Sequence, residues 1–305
     1  MKRSCALGLL LLLLPIFALA EGYARIFDTS DDAGKLTARF ISMDTGTGEK
    51  AGDCAVLTSP EGLVMVIDAG HPDAAGDIVR ALDAMGVKDI DLLVLSHPHI
   101  DHVGGMPELI QKYGVRAAYS SFLDYPSEQS LAFLSALEKK SVPLVRLKRG
   151  DVLPFGEEVR VSILSPGPEI VYYDGYPEGS TQFINNLSLV MMLEYRGTRM
   201  LFSGDLYSLG EKEVLALGDD LRADVFKVNH HGDDTSSSKA WRAAVSPKVA
   251  VITHNALADL RIPRKFKEEG VQVLHTFMDG SIRVSSPGEG ILEVLTEKDR
   301  GGGKF

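Results

Sequence analysis

The sequence of 305 residues is 45% hydrophobic and 24% charged, a balance that suits a large buried core and excludes a disordered or fibrous chain. Its 30 glycines and 14 prolines follow no period, so collagen-like and low-complexity architectures are excluded too. The net charge of −10, with no cluster of lysines and arginines to offset it, disfavours nucleic acid as a partner without forbidding it.

Residues 1–20 read as an export signal. Lys2 and Arg3 precede an apolar run from Ala6 to Leu14, and Ala18-Leu19-Ala20 fits a signal-peptidase site. The run is short and broken by Pro15, so no stable membrane insertion is expected after cleavage, and the mature chain is expected to be secreted or periplasmic. Cys54 then remains as the sole cysteine, which rules out an internal disulfide and reads as a buried, inert thiol. Residues 21–35 read as an N-terminal tail, 36–297 as one layered domain, and the glycine-rich 298–305 as a flexible C-terminal tail.

From Leu36 onward, short apolar runs predict strands at Leu36 to Met43, Cys54 to Thr58 and Leu63 to Ala69, followed by a helix from Ala74 to Met85. Asp91 to Ser96 reads as a buried strand that runs straight into His97. Helices are expected at Met106 to Tyr113 and Ser127 to Lys140, with a strand at Arg116 to Ser121 between them. A second wave of strands begins at Val159 to Leu164 and continues through Leu187 to Tyr195 and Arg199 to Ser203, with Arg196-Gly197 as a hairpin turn. Asp224 to Val228 leads to His230-His231, and Val249 to Thr253 leads to His254. Helices follow each of them, at Lys239 to Val245 with Trp241 in the core, and at Ile262 to Glu269. Strands near Val271 to Phe277, Ser281 to Ser285 and Ile291 to Thr296 close the chain. Two waves of strands with intervening helices predict an α/β fold of two packed sheets covered by helices.

The segment His97-Pro98-His99-Ile100-Asp101-His102 places four candidate ligands in six positions directly after a buried strand, with Gly104-Gly105 as its exit. Imidazole nitrogens and a carboxylate converging on one turn call for a divalent cation, zinc or a similar ion.

With Gly52-Asp53, Val66-Ile67-Asp68-Ala69-Gly70, Asn185-Asn186-Leu187-Ser188, Leu201-Phe202-Ser203-Gly204-Asp205 and Lys227-Val228-Asn229-His230-His231-Gly232, the chain resembles the metallo-β-lactamase superfamily. The resemblance is narrower still to the hydrolase domain of ComEC-type competence proteins and to teichoic-acid phosphorylcholine esterases. It implies an αββα sandwich of two mixed sheets with one or two metal ions at one edge. His97 and His99 would hold one ion, Asp101 and His102 a second, and Asp205 would bridge them. His231 would complete the first site, while His230 or His254 would serve the second or touch substrate. Asp68 would orient the histidine loop. Asn185 stands where many members carry a metal-binding histidine, and an amide is the poorer zinc ligand, which leaves room for manganese.

The implied activity is hydrolysis by a water that the cations make reactive, with Asp101 orienting or deprotonating it and His230 donating a proton to the leaving oxygen. A phosphodiester, either a small molecule or a cell-envelope component, is the preferred substrate. A lactone or β-lactam is the alternative, and a non-catalytic metal-binding accessory protein of DNA uptake is a third reading. Tyr172, Tyr173 and Tyr176 are candidates for an aromatic wall that holds a base or a quaternary ammonium.

Overall fold

The computed structural model describes residues 21–121, 125–257 and 259–299. The export signal read at 1–20 lies outside the described residues, as do 300–305 of the C-terminal tail. Among the described residues, no helix is long and apolar enough to cross a membrane.

One sheet is built from β1 (Leu36–Phe40), β2 (Ala55–Thr58), β3 (Val64–Ile67), β4 (Asp89–Leu95), β5 (Gly114–Ser121), β6 (Leu144–Leu147), β14 (Ile282–Gly288) and β15 (Ile291–Thr296), in the order β15-β14-β1-β2-β3-β4-β5-β6. The other holds β7 (Val152–Pro154), β8 (Arg160–Ser165), β9 (Val190–Tyr195), β10 (Thr198–Phe202), β11 (Val225–Lys227), β12 (Val249–Ile252) and β13 (Gln272–His275), in the order β13-β12-β11-β10-β9-β8-β7. Each sheet is mixed: β3 to β6 and β10 to β13 pair in parallel, and the remaining pairs are antiparallel.

The alternation of side chains explains the layers. Leu92 and Val94 of β4 face the space between the sheets, whereas Leu93 and Leu95 face outward under α2 (Ala75–Ala84), α4 (Met106–Lys112) and α5 (Glu128–Lys140). With both faces covered, the strand reads as a continuous apolar run. In the second sheet Met191 and Leu193 point inward, while Val190 and Met192 pack beneath α7 (Ser208–Ala216), α8 (Lys239–Val245) and α9 (Arg261–Glu268), where Trp241 is fully buried. Phe40 and Phe202 stack across the inter-sheet core with ring centres 5.9 Å apart. The result is an αββα sandwich.

Two sequence expectations change, and four short elements were not read at all. Residues 21–35 are docked rather than a free tail: 21–27 form a helical segment, α1, that buries Ile26 and Phe27 against the first helical layer. Its anchor is Arg39 of β1, a buried guanidinium that donates to Ile26 O at 2.7 Å and pairs with Asp32 at 2.8 Å. The strand expected through Phe277 stops at His275, where Asp279 accepts the His275 N–H at 2.7 Å and turns Thr276–Asp279 into a helical turn, α10. The short β6 and β7, α6 (Thr181–Asn185) and α7 carry too little apolar periodicity to be read from sequence.

Candidate metal centre

Strand β3 delivers Asp68, β4 delivers Ser96 and His97, β10 leads to Asp205, β11 to His230 and His231, and β12 to His254. These are carboxyl ends of parallel-paired strands, so their loops meet at one edge of the sandwich. Asp101 and His102 stand in the short helix α3 (Ile100–Val103). The loop before β2 braces that helix, with Asp53 N donating to Asp101 O at 3.1 Å. Gly52 permits this approach, because a Cβ there would lie 1.7 Å from Asp101 O.

His102 Nε2 and His231 Nε2 each lie 3.3 Å from Asp205 Oδ2, and His231 Nε2 is also 3.3 Å from Asp101 Oδ2. One ligand atom from each of Asp101, His102, Asp205 and His231 falls within 4.8 Å of the others. His97 Nε2 and His99 Nδ1 face each other at 2.9 Å, and the same Nε2 is 3.9 Å from Asp205 Oδ2. Asp205 therefore borders both groups. The resemblance put His231 with His97 and His99. The structure stands it with Asp101 and His102 instead, because the anchors on its other nitrogen turn Nε2 that way.

Those anchors set the chemistry. His231 Nδ1 is 2.9 Å from Thr253 O and 3.0 Å from Asp53 Oδ1, and His102 Nδ1 is 2.8 Å from Asp68 Oδ2. A carbonyl or carboxylate neighbour demands an N–H, so each Nδ1 keeps its proton and Nε2 is the nitrogen that offers a lone pair to an ion once its own proton is lost. Asp68 is itself held by Ser96 N and Ser96 Oγ, both at 2.7 Å. Among the described residues, Nε2 of His102 and of His231 and Oδ1 of Asp205 are buried and complete no hydrogen bond of good geometry. Buried polar atoms normally find partners, so convergent lone pairs of nitrogen and carboxylate oxygen fit divalent ions held by His97, His99 and Asp205 and by Asp101, His102, His231 and Asp205.

Charge agrees with this. Burial alone would lower the pKa of His102 and His231, yet Asp205, with Asp68 or Asp53, outweighs it and holds both well above the usual imidazole range. Asp205 resists the upward push of its own burial because His231 and His102 face it, and it is held well below the carboxylate range. Burial lowers His230 and His254 to about 4. Asp68, His230 and His231 adopt left-handed backbone, with φ of 59°, 45° and 53°. Such conformations cost roughly 1–3 kcal/mol each in non-glycine residues and cluster where a function requires them.

The remaining candidates surround this core. His230 Nδ1 lies 2.6 Å from Thr235 Oγ1 and its Nε2 3.9 Å from Asp205 Oδ2. His254 stands outside the four-residue group, its ring perpendicular to His231 at 5.8 Å and its Nδ1 accepting from Ala256 N at 2.9 Å. Asn185 is buried beside His99 and Tyr207. Tyr172 is exposed and stacks on Phe183, Tyr173 donates to Glu213, and Tyr176 packs with Tyr125 around α6. Tyr125, to which sequence reading gave no role, sits edge-on to His99 at 6.0 Å.

A family model matches residues 47–254 and describes the metallo-beta-lactamase superfamily. The chain belongs to the metallo-beta-lactamase superfamily. It is 29% identical over 222 residues to "ComE operon protein 3" of Bacillus subtilis, covering 70% of this chain and 27% of that protein, in agreement with the ComEC-type resemblance. It is 25% identical over 189 residues to "Endoribonuclease ysh1" of Schizosaccharomyces pombe, covering 58% and 23% respectively. The chain thus spans about a quarter of the length of these relatives. Among solved structures, the metallo-beta-lactamase fold protein YhfI of Bacillus subtilis shares the fold, with a TM-score of 0.51, 12% identity and coverage of 85% of this chain and 99% of that one.

Sequence reading assigned no role to three residues of this superfamily domain that hold the candidate ligand His231. Asp53 holds His231, Thr253 donates its hydroxyl to Asp53, and the buried Lys227 pairs with Asp53. Lysine ending an apolar strand, as in Val225–Lys227, was the available signal, since a buried ammonium requires a carboxylate.

Proposed function

We propose that this chain is an exported, metal-dependent phosphodiesterase. The observation that carries the reading is the approach of His102 Nε2 and His231 Nε2 to the same Asp205 oxygen, 3.3 Å each, with Asp101 alongside. Divalent ions held there by Asp101, His102, Asp205 and His231 and by His97 and His99 would supply a nucleophilic water and polarise the bond attacked. Asp101 would orient that water, and His230, whose pKa burial lowers to about 4 and which is therefore neutral at pH 7 with its Nδ1 on Thr235, stands at the rim where it would first accept the proton that the water gives up and then pass that same proton to the leaving oxygen. Lys50 is an exposed cation whose charge reaches His230 and His254, which suits an anionic substrate. Similarity to an endoribonuclease, an enzyme that cleaves phosphodiesters, supports phosphodiester chemistry.

Acyl hydrolysis is the second reading. It is favoured by a cavity of about 200 Å³ beside His97, walled by Leu95, Pro98, Tyr125, Leu131 and Phe133, which suits an apolar acyl group. Metal analysis followed by turnover of bis-p-nitrophenyl phosphate against a lactone and nitrocefin, with added zinc or manganese, separates the two. Phosphodiester turnover abolished by His99→Ala in a folded protein supports the proposal; turnover of the acyl substrates alone overturns it. Metal uptake with no hydrolysis of either class identifies an accessory binding protein. Export is tested by N-terminal sequencing of the expressed protein: a start at Glu21 supports it, and a retained Met1 overturns it.

A further inference from the structure

Behind the ligands, Asp53 and Asp68 approach each other. One carboxylate oxygen of each and a nitrogen of His102 lie within 4.8 Å, and all three side chains are buried. Asp101 and Asp205 stand on the other side of the same histidines. Among the described residues, this concentration of negative charge is met from within the fold by one buried ammonium. Lys227 ends β11, is 4% exposed, donates to Val228 O at 2.9 Å and pairs with Asp53. Asp53 in turn receives the Thr253 hydroxyl and faces His231 Nδ1 at 3.0 Å.

We infer that Lys227 is a positioning residue for the metal centre: through Asp53 it fixes the His231 imidazole so that Nε2 is aimed at the ion shared with Asp101, His102 and Asp205. This inference rests on the metal-dependent reading proposed above. A buried carboxylate without its cation is a poor anchor, because the desolvation that the pair offsets is then uncompensated. Removing Lys227 therefore loosens His231 without touching any ligand, and outer partners of metal-bound histidines typically control affinity by about 10–100-fold.

The test uses the full mature chain as wild type, K227M, K227R, D53N and K227M/D53N. Zinc stoichiometry and affinity are measured by competition with a chromophoric chelator, and folding by circular dichroism. K227M is expected to bind one of the two ions about 10–100-fold more weakly, K227R to retain most of the affinity, and the double variant to bind no more weakly than D53N, since both act through one contact. Wild-type affinity in K227M, or losses that multiply in the double variant, overturns the inference while leaving the metal-dependent reading intact. A folded wild-type chain that takes up no metal overturns both. If K227M does not fold, K227M/D53N, which carries neither buried charge, decides by the same comparison with D53N.

Discussion

His102 turns its Nδ1 to Asp68 Oδ2 at 2.8 Å, and this contact fixes which nitrogen is left for a metal. Asp68 adopts a left-handed backbone, which asparagine tolerates and alanine does not, so Asp68→Asn is the clean test. Its amide can still accept from Ser96 N but sets an N–H donor against the Nδ1 proton of His102. The variant should fold normally and hold metal about 10–100-fold more weakly. Unchanged affinity in a metal titration would remove Asp68 from the centre's support.

How much of this was legible in advance depends on chain distance. The cluster from His97 to His102 is local, follows the apolar β4 and states its chemistry in six residues. The layers were legible too, because Leu92, Leu93, Val94 and Leu95 can form an unbroken apolar run only where both faces of a strand are covered. The Asp53–Lys227–His231 linkage was not, since its carboxylate and ammonium come from opposite sheets and neither position shows periodicity. Residues 21–35 misled for the same reason: their partner, Arg39, looks like a surface residue until Asp32 and the Ile26 carbonyl surround it.

Glu211 ties α7 to the loop that carries His230 and His231. Its carboxylate accepts from Asn229 Nδ2 at 2.8 Å, from Ser237 N and from Ser238 N at 2.9 Å. Burial raises its pKa even against these donors. In Glu211→Gln an NH₂ group replaces one acceptor and faces N–H donors in a dry site, a mismatch that costs about 1–3 kcal/mol. Denaturant melts should show that loss. Wild-type stability would mean that the loop is held by other contacts.

Cys54 lies buried between β1 and β2, and burial, with Asp68 and Asp53 nearby, raises its thiol pKa well above the usual value. Only the thiolate reacts, so the native thiol should resist a disulfide reagent at least about 100-fold better than the unfolded chain. A variant lacking residues 1–20 leaves Cys54 as the only thiol to follow. Rapid labelling without unfolding would show that the loop before β2 opens far more readily than its packing implies.

Proton and metal compete for the same two nitrogens. Without an ion, His102 and His231 have pKa values well above 6.5, since the facing carboxylates outweigh burial. A raised histidine pKa contributes stability that is complete below the unfolded value and is lost as pH rises through the folded one. The metal-free protein should therefore lose stability above about pH 6.5. Metal binding changes in the opposite sense, because each Nε2 must shed its proton to ligate, and affinity grows as that competition fades. The melting temperatures of metal-loaded and chelator-treated protein should diverge as pH rises and converge as it falls. A gap that stays constant or narrows with rising pH would show that these two imidazoles do not hold the ion.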